Sequence, residues 1–185
     1  MKTIVAFLSG QSNPGNSALS PEQAGFLERA GVSVAERLMV NFPYPSEVHV
    51  YTRTPLLRAC VNNASQYLAS RRPDFAIRHR EDVERRLMGY ERVILLSGSC
   101  GLELLVNLQL SPQLMDRLYV FAYGPVSRRL PQCALLWRIQ GKQDFISKWW
   151  HREAEYFVPC HHMNYLSTPG TVDLFRRFHT IATQP

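Results

Sequence analysis

Residues 93–103 read VILLSGSCGLE, an apolar run that breaks into Ser97-Gly98-Ser99-Cys100-Gly101 and then resumes as an apolar helix pattern. A serine lifted onto a sharp strand-to-helix turn can serve as a nucleophile. Such a turn needs small residues two before and two after the serine, because the backbone packs too tightly there for larger side chains. Ser97 and Gly101 hold those places. A serine hydroxyl is a poor nucleophile at neutral pH, so it needs a base to take its proton and a third group to orient that base. Cys100 is a second possible nucleophile, one place off the apex of the turn. Cys160, His161 and His162 form the densest group of metal-ligand types, but adjacent residues rarely converge on one tetrahedral ion without distant partners, so no metal is expected.

The stretch resembles the G-x-S-x-G nucleophile elbow of the α/β-hydrolase superfamily, with Ser97 at its first position. The resemblance implies an acid and a histidine downstream, in the order Ser, Asp, His. ALLWRIQGKQDFIS places Asp144 beyond an apolar run, in a GxxD-x-hydrophobic pattern like the acid loop of the family. VPCHHMNYLSTPG is similar to the histidine loop, in which the catalytic histidine precedes an aromatic-aliphatic pair and a final helix. His162 fits that role through HMNYL, and His161 stands beside it as the alternative. The resemblance implies oxyanion donors as well: the backbone N–H of Cys100, and one from Gln11 or a neighbour in FLSGQSNPGN, where Leu8-Ser9-Gly10 replaces the more usual His-Gly pair.

Buried-strand runs that could carry these residues occur at 3–8, 47–51, 92–96, 118–122, 134–139 and 155–158. Helical patterns lie between them. Residues 21–38 open with Ser20-Pro21 and Gln23 in capping-box spacing, although Gly25 and Gly31 interrupt the pattern. Residues 74–88 are amphipathic, 101–110 are apolar nearly all round, and 145–152 and 169–181 complete the set. Residues 52–72 fit none of these alternations and suggest a cover over one end of the sheet. The alternation predicts an α/β fold: a three-layer α/β/α sandwich around a mostly parallel six-stranded sheet, as one domain over residues 1–185. From the resemblance, the strand order is second, first, third, fourth, fifth, sixth, with the nucleophile strand central. Only residues 124–134 join the fourth and fifth strands, which leaves no room for a large lid there.

Composition narrows the rest. The 45% hydrophobic and 19% charged fractions over 185 residues are ordinary for a globular domain, and no apolar run approaches the ~20 residues of a membrane helix, so no membrane partner is expected. The net charge of +6 comes from dispersed arginines, and in residues 71–86 Glu81, Asp82 and Glu84 interrupt them, which argues against a nucleic-acid surface. Four cysteines without a CxxC pair, and a start without a secretory pattern, predict a reducing, cytoplasmic setting.

Together these readings predict a serine hydrolase with Ser99, Asp144 and His162 as the triad and no cofactor. It would cleave or transfer an acyl group from an ester or thioester, as a carboxylesterase, thioesterase or acyltransferase. The substrate would be a small molecule or a carrier-borne acyl group, and an acidic acyl carrier fits Arg128 and Arg129. Two other readings remain: a catalytically inactive interaction protein on the hydrolase scaffold, and a flavodoxin-like nucleotide or flavin binder using SGQSNPGN as a phosphate loop.

Overall fold

A computed structural model describes residues 2–44 and 50–184. In its six-stranded sheet β1 (Thr3–Ser9) is flanked on one side by β2 (Arg37–Phe42), at the edge, and on the other by β3 (Arg92–Gly98). Beyond β3 follow β4 (Leu118–Tyr123), β5 (Leu135–Gly141) and β6 (Tyr156–Val158), and every pairing is parallel. The order is therefore β2-β1-β3-β4-β5-β6.

Strands covered on both faces read as unbroken apolar runs, and alternate residues feed two cores. Ile4, Ala6 and Leu8 of β1 join Val93 and Leu95 of β3 on one face, while Val5 and Phe7 join Ile94 and Leu96 on the other. The first face is covered by α2 (Leu56–Ala69), α3 (Asp74–Leu87), α4 (Gly101–Leu108) and the single-turn α5 (Pro112–Met115), through residues such as Tyr67, Val83, Leu104 and Leu114. The second is covered by α1 (Pro21–Arg29) and α7 (Pro169–Thr183), where Phe26, Phe175 and Phe178 form an aromatic cluster with Phe121. A short helix, α6 (Phe145–Trp150), follows β5.

The expected three-layer α/β/α architecture and strand order are present, and the sheet is parallel throughout. Two assignments change. The helix expected over 21–38 starts as anticipated, with Ser20 accepting from the Gln23 N–H and the Gln23 side chain accepting from the Ser20 N–H, but it ends at Arg29. Gly31 takes a left-handed φ of +77°, the usual stop for a helix, and the chain turns into β2. The second strand is thus Arg37–Phe42. Leu38, Val40 and Phe42 point to the core and Met39 points out, a period of two that belongs to a strand. The strand expected over 47–51 falls largely outside the described residues, and Val50 and Tyr51 lie in no strand. The segment expected as a cover forms α2, across the carboxyl ends of the strands.

Candidate active site

Ser99 sits between the last residue of β3 and the first of α4, with a left-handed φ of +49°. That conformation costs a non-glycine residue roughly 1 kcal/mol or more and persists only where the surroundings hold it. The Ser99 N–H donates to the Tyr123 carbonyl at 3.2 Å, and its carbonyl accepts from the Val126 N–H at 2.9 Å, so the turn is pinned to the end of β4. Gly101 lets α4 start directly against β1: a Cβ there would lie 1.9 Å from the Leu8 carbonyl oxygen and 2.9 Å from Ser97 Oγ. Ser97 is wholly buried and fits in the space left by the missing Cβ of Gly101.

The three residues named from the sequence meet at this turn. The Ser99 hydroxyl lies 3.0 Å from His162 Nε2, and His162 Nδ1 lies 2.9 Å from Asp144 Oδ2. With the proton on Nδ1, the imidazole donates to Asp144 and accepts from Ser99. Asp144 caps the N-terminus of α6, its Oδ1 accepting from the Ser147 N–H at 2.9 Å. Burial on its own would raise the Asp144 carboxyl, yet hydrogen bonds from His162, Tyr165 and the Ser147 N–H more than reverse this and hold it below the usual carboxylate range. It is ionised at neutral pH. His161 is exposed, and its backbone N–H donates to Asn164 Oδ1 at 2.9 Å, which shapes the loop that presents His162.

Tyr165 is part of this arrangement and was not singled out from the sequence. Its hydroxyl donates to Asp144 Oδ2 at 2.6 Å and accepts from the Gly141 N–H at 2.6 Å. Burial, and then the bond to Asp144, push the phenol up, so it stays protonated and remains a donor. The aromatic position in HMNYL was the visible signal; its partner lies 21 residues away. Tyr165→Phe removes one of the bonds that fix Asp144. Turnover of an ester substrate should fall roughly tenfold in kcat with KM little changed, the scale of a hydrogen bond to a charged group. An unaltered kcat would show that Tyr165 only packs.

The expected oxyanion donors stand differently from each other. Cys100 opens α4, where backbone N–H groups have no acceptor within the helix, and it lines the cleft above Ser99. Its thiol is a poor nucleophile: burial pushes it up to about 11, against hydrogen bonds from the Gly10 and Cys100 N–H groups. The Gln11 N–H is already engaged, donating to Gln66 Oε1 of α2 at 2.6 Å, while Gln66 Nε2 donates to the Gln11 carbonyl at 2.8 Å. Asn62 of α2 also donates to the Ser12 carbonyl, at 2.8 Å. The loop after β1 is thus fastened to α2, and Asn13 and Asn16 bond to Thr52.

A cleft of about 1270 Å³ opens over the turn, lined by Ser99, His162 and Gln11 and walled by Tyr67, Tyr123 and Trp150. It exceeds the usual volume of a small-molecule site and has room for a long or bulky acyl group. Arg128 is exposed but tethered: its N–H and Nε bond to the buried Glu103 carboxylate at 2.8 and 3.1 Å. Arg129 bonds to Asn107 Oδ1 at 3.2 Å.

Six parallel strands in this order, with helices on both faces, make an α/β-hydrolase fold. Over nearly its whole length the chain is similar to the crystal structure of a carboxylesterase from Mesorhizobium loti, with a TM-score of 0.51 and 13% identity, covering 96% of this chain and 88% of that one. It is also similar to the crystal structure of TT1662 from Thermus thermophilus, with a TM-score of 0.47 and 17% identity over 100% of this chain and 90% of that one. No family model matches the chain, and no curated protein does.

Proposed function

We propose that the protein is a serine hydrolase that cleaves carboxylic esters or thioesters through an acyl-Ser99 intermediate. The observation that carries this reading is the continuous relay from Ser99 Oγ through His162 to Asp144, at 3.0 and 2.9 Å, on a serine held in a strained turn. His162 Nε2 takes the hydroxyl proton as Ser99 Oγ attacks the carbonyl carbon. The imidazolium that forms is stabilised by the ionised Asp144, which keeps the proton on Nδ1. His162 then returns its proton to the leaving alkoxide or thiolate. A water activated by the same base attacks the acyl-enzyme, releases the carboxylic acid and restores the serine.

The developing oxyanion is held by the Cys100 N–H, which it must win from the weakly accepting Cys100 thiol, and by the Gln11 N–H, which it must win from Gln66. An anionic oxygen makes the stronger bond to that N–H than a neutral carboxamide does, so the exchange favours the tetrahedral intermediate over the ground state. The open cleft also allows an alcohol or amine acceptor in place of water.

The test is a stopped-flow and acid-quench experiment with p-nitrophenyl butyrate and an acyl thioester. An acyl adduct on the wild-type chain should appear in the burst phase. His162→Ala should lose at least roughly 10³-fold in turnover, and His161→Ala should keep most of it. A dead His161→Ala beside an active His162→Ala would move the base by one residue. Absence of any adduct with both substrates would remove the hydrolase reading.

A further inference from the structure

We infer that the mouth of the Ser99 cleft is a docking collar for an anionic lipid surface, from which an acyl lipid enters the cleft. The substrate half of this inference rests on the ester-hydrolase reading; the docking half rests on the collar alone.

Helix α2 packs inward through Ala59 and Tyr67 and still leaves a second apolar stripe outside. Its inner side carries Asn62 and Gln66, which fasten the loop after β1, while Leu57, Val61 and Leu68 lie on its outer side at spacings of four and seven. Leu57 is 83% exposed and Val61 67%. Across the cleft, α6 buries Ser147 and turns Phe145 and Trp149 to solvent, at 78% and 87% exposure. Both rims border the cleft through their neighbours. Leu56 of α2 and Ile146, Trp150 and Met163 of the opposite side all line the cleft, and the Tyr67 and Trp150 rings meet edge to face at 5.5 Å. Soluble chains rarely leave so much aliphatic and aromatic surface uncovered around one opening, and a tryptophan beside basic residues on a short amphipathic helix suits the headgroup region of a bilayer.

Charge selects the kind of surface. Arg53 and Arg58 flank the α2 rim and are exposed; Lys142 and Lys148 flank the α6 rim, where the Lys148 ammonium lies 5.7 Å from the Phe145 ring centroid. Glu22 is the acidic side chain among the described residues that line the cleft. The chain carries +6 overall. Apolar side chains ringed by cations complement anionic headgroups over acyl chains. A second copy seated on the same collar would plug the opening that a substrate needs, whereas a lipid surface brings substrate to it. Arg128 and Arg129, anticipated for an acidic carrier, are exposed and bonded to Glu103 and Asn107. The sequence predicted no membrane partner because no run was long enough to span a bilayer. Among the described residues no helix is long and apolar enough to cross a membrane, but lying on one requires no span.

The test is flotation of the full chain with vesicles of phosphatidylcholine alone and of phosphatidylcholine with phosphatidylglycerol. Wild type and Ser99→Ala should both float with the anionic vesicles, and less so as salt is raised. Phe145→Ser with Trp149→Ser should weaken partition by at least roughly tenfold, given the apolar area of two aromatic rings. Arg58→Glu with Lys142→Glu should lower binding to the anionic vesicles specifically. All four positions are solvent-exposed, so an unchanged thermal midpoint checks that the variants fold. Failure to float with either vesicle type overturns the inference, as does a solution dimer dispersed by the aromatic substitutions. Flotation without turnover supports the collar and removes the hydrolase reading; turnover of soluble esters without flotation does the reverse.

Discussion

Ser99→Ala should reduce kcat/KM for any ester or thioester substrate by roughly 10⁴-fold or more, to the level left by binding and oxyanion contacts alone. The loss follows from position. Ser99 Oγ is the hydroxyl that His162 Nε2 meets at 3.0 Å, and the Cys100 thiol beside it is buried and held at about 11. Stability should respond differently. Ser99 has a left-handed φ of +49°, so alanine keeps the backbone strain, whereas Ser99→Gly relieves it and should raise the unfolding free energy by about 1 kcal/mol while remaining inactive. Urea denaturation beside initial rates separates the two effects. Retention of more than a few per cent of wild-type turnover by Ser99→Ala would mean that another group carries the chemistry.

Gly101→Ala should be the most damaging single methyl in the protein. In an ordinary helix this exchange stabilises by up to about 1 kcal/mol, because alanine has less backbone freedom to lose. Here the added carbon would lie 1.9 Å from the Leu8 carbonyl oxygen, a backbone atom of β1 that cannot rotate away, and 2.9 Å from Ser97 Oγ. The start of α4 must then leave β1 and carry the Cys100 N–H and the Ser99 turn with it. We expect a loss of at least about 3 kcal/mol in urea unfolding, at the severe end for overpacking, and a large drop in turnover even where the variant folds. A variant as stable and active as wild type would show that the helix start has slack that the packing does not suggest.

The parts of the fold legible in the sequence were those where one physical rule acts alone. Strands β1, β3 and β4 are largely buried on both faces, so their apolar runs needed no context to be recognised. Strand β2 is the edge strand beside β1, and the seven residues 30–36 separate it from a helix whose cap and apolar face suggested that it continued. The stop at Gly31 was visible as a glycine, but its left-handed φ was not. The same division holds at the site. Ser99, Asp144 and His162, which the structure brings together, were singled out through the resemblance of their loops to those of the α/β-hydrolases and the small neighbours of the serine. Tyr165 and Gln66 act through partners 21 and 55 residues away, and the exposure of Leu57 and Val61 depends on how α2 packs, which its own sequence does not set.

The central claim is an activated serine at this turn, and intact-mass labelling with a fluorophosphonate tests it most directly, on wild type beside Ser99→Ala and Cys100→Ala. The account predicts one adduct per wild-type chain, retained in Cys100→Ala and absent from Ser99→Ala. A well-folded wild-type chain that takes up no label, or an adduct that survives in Ser99→Ala, would contradict it.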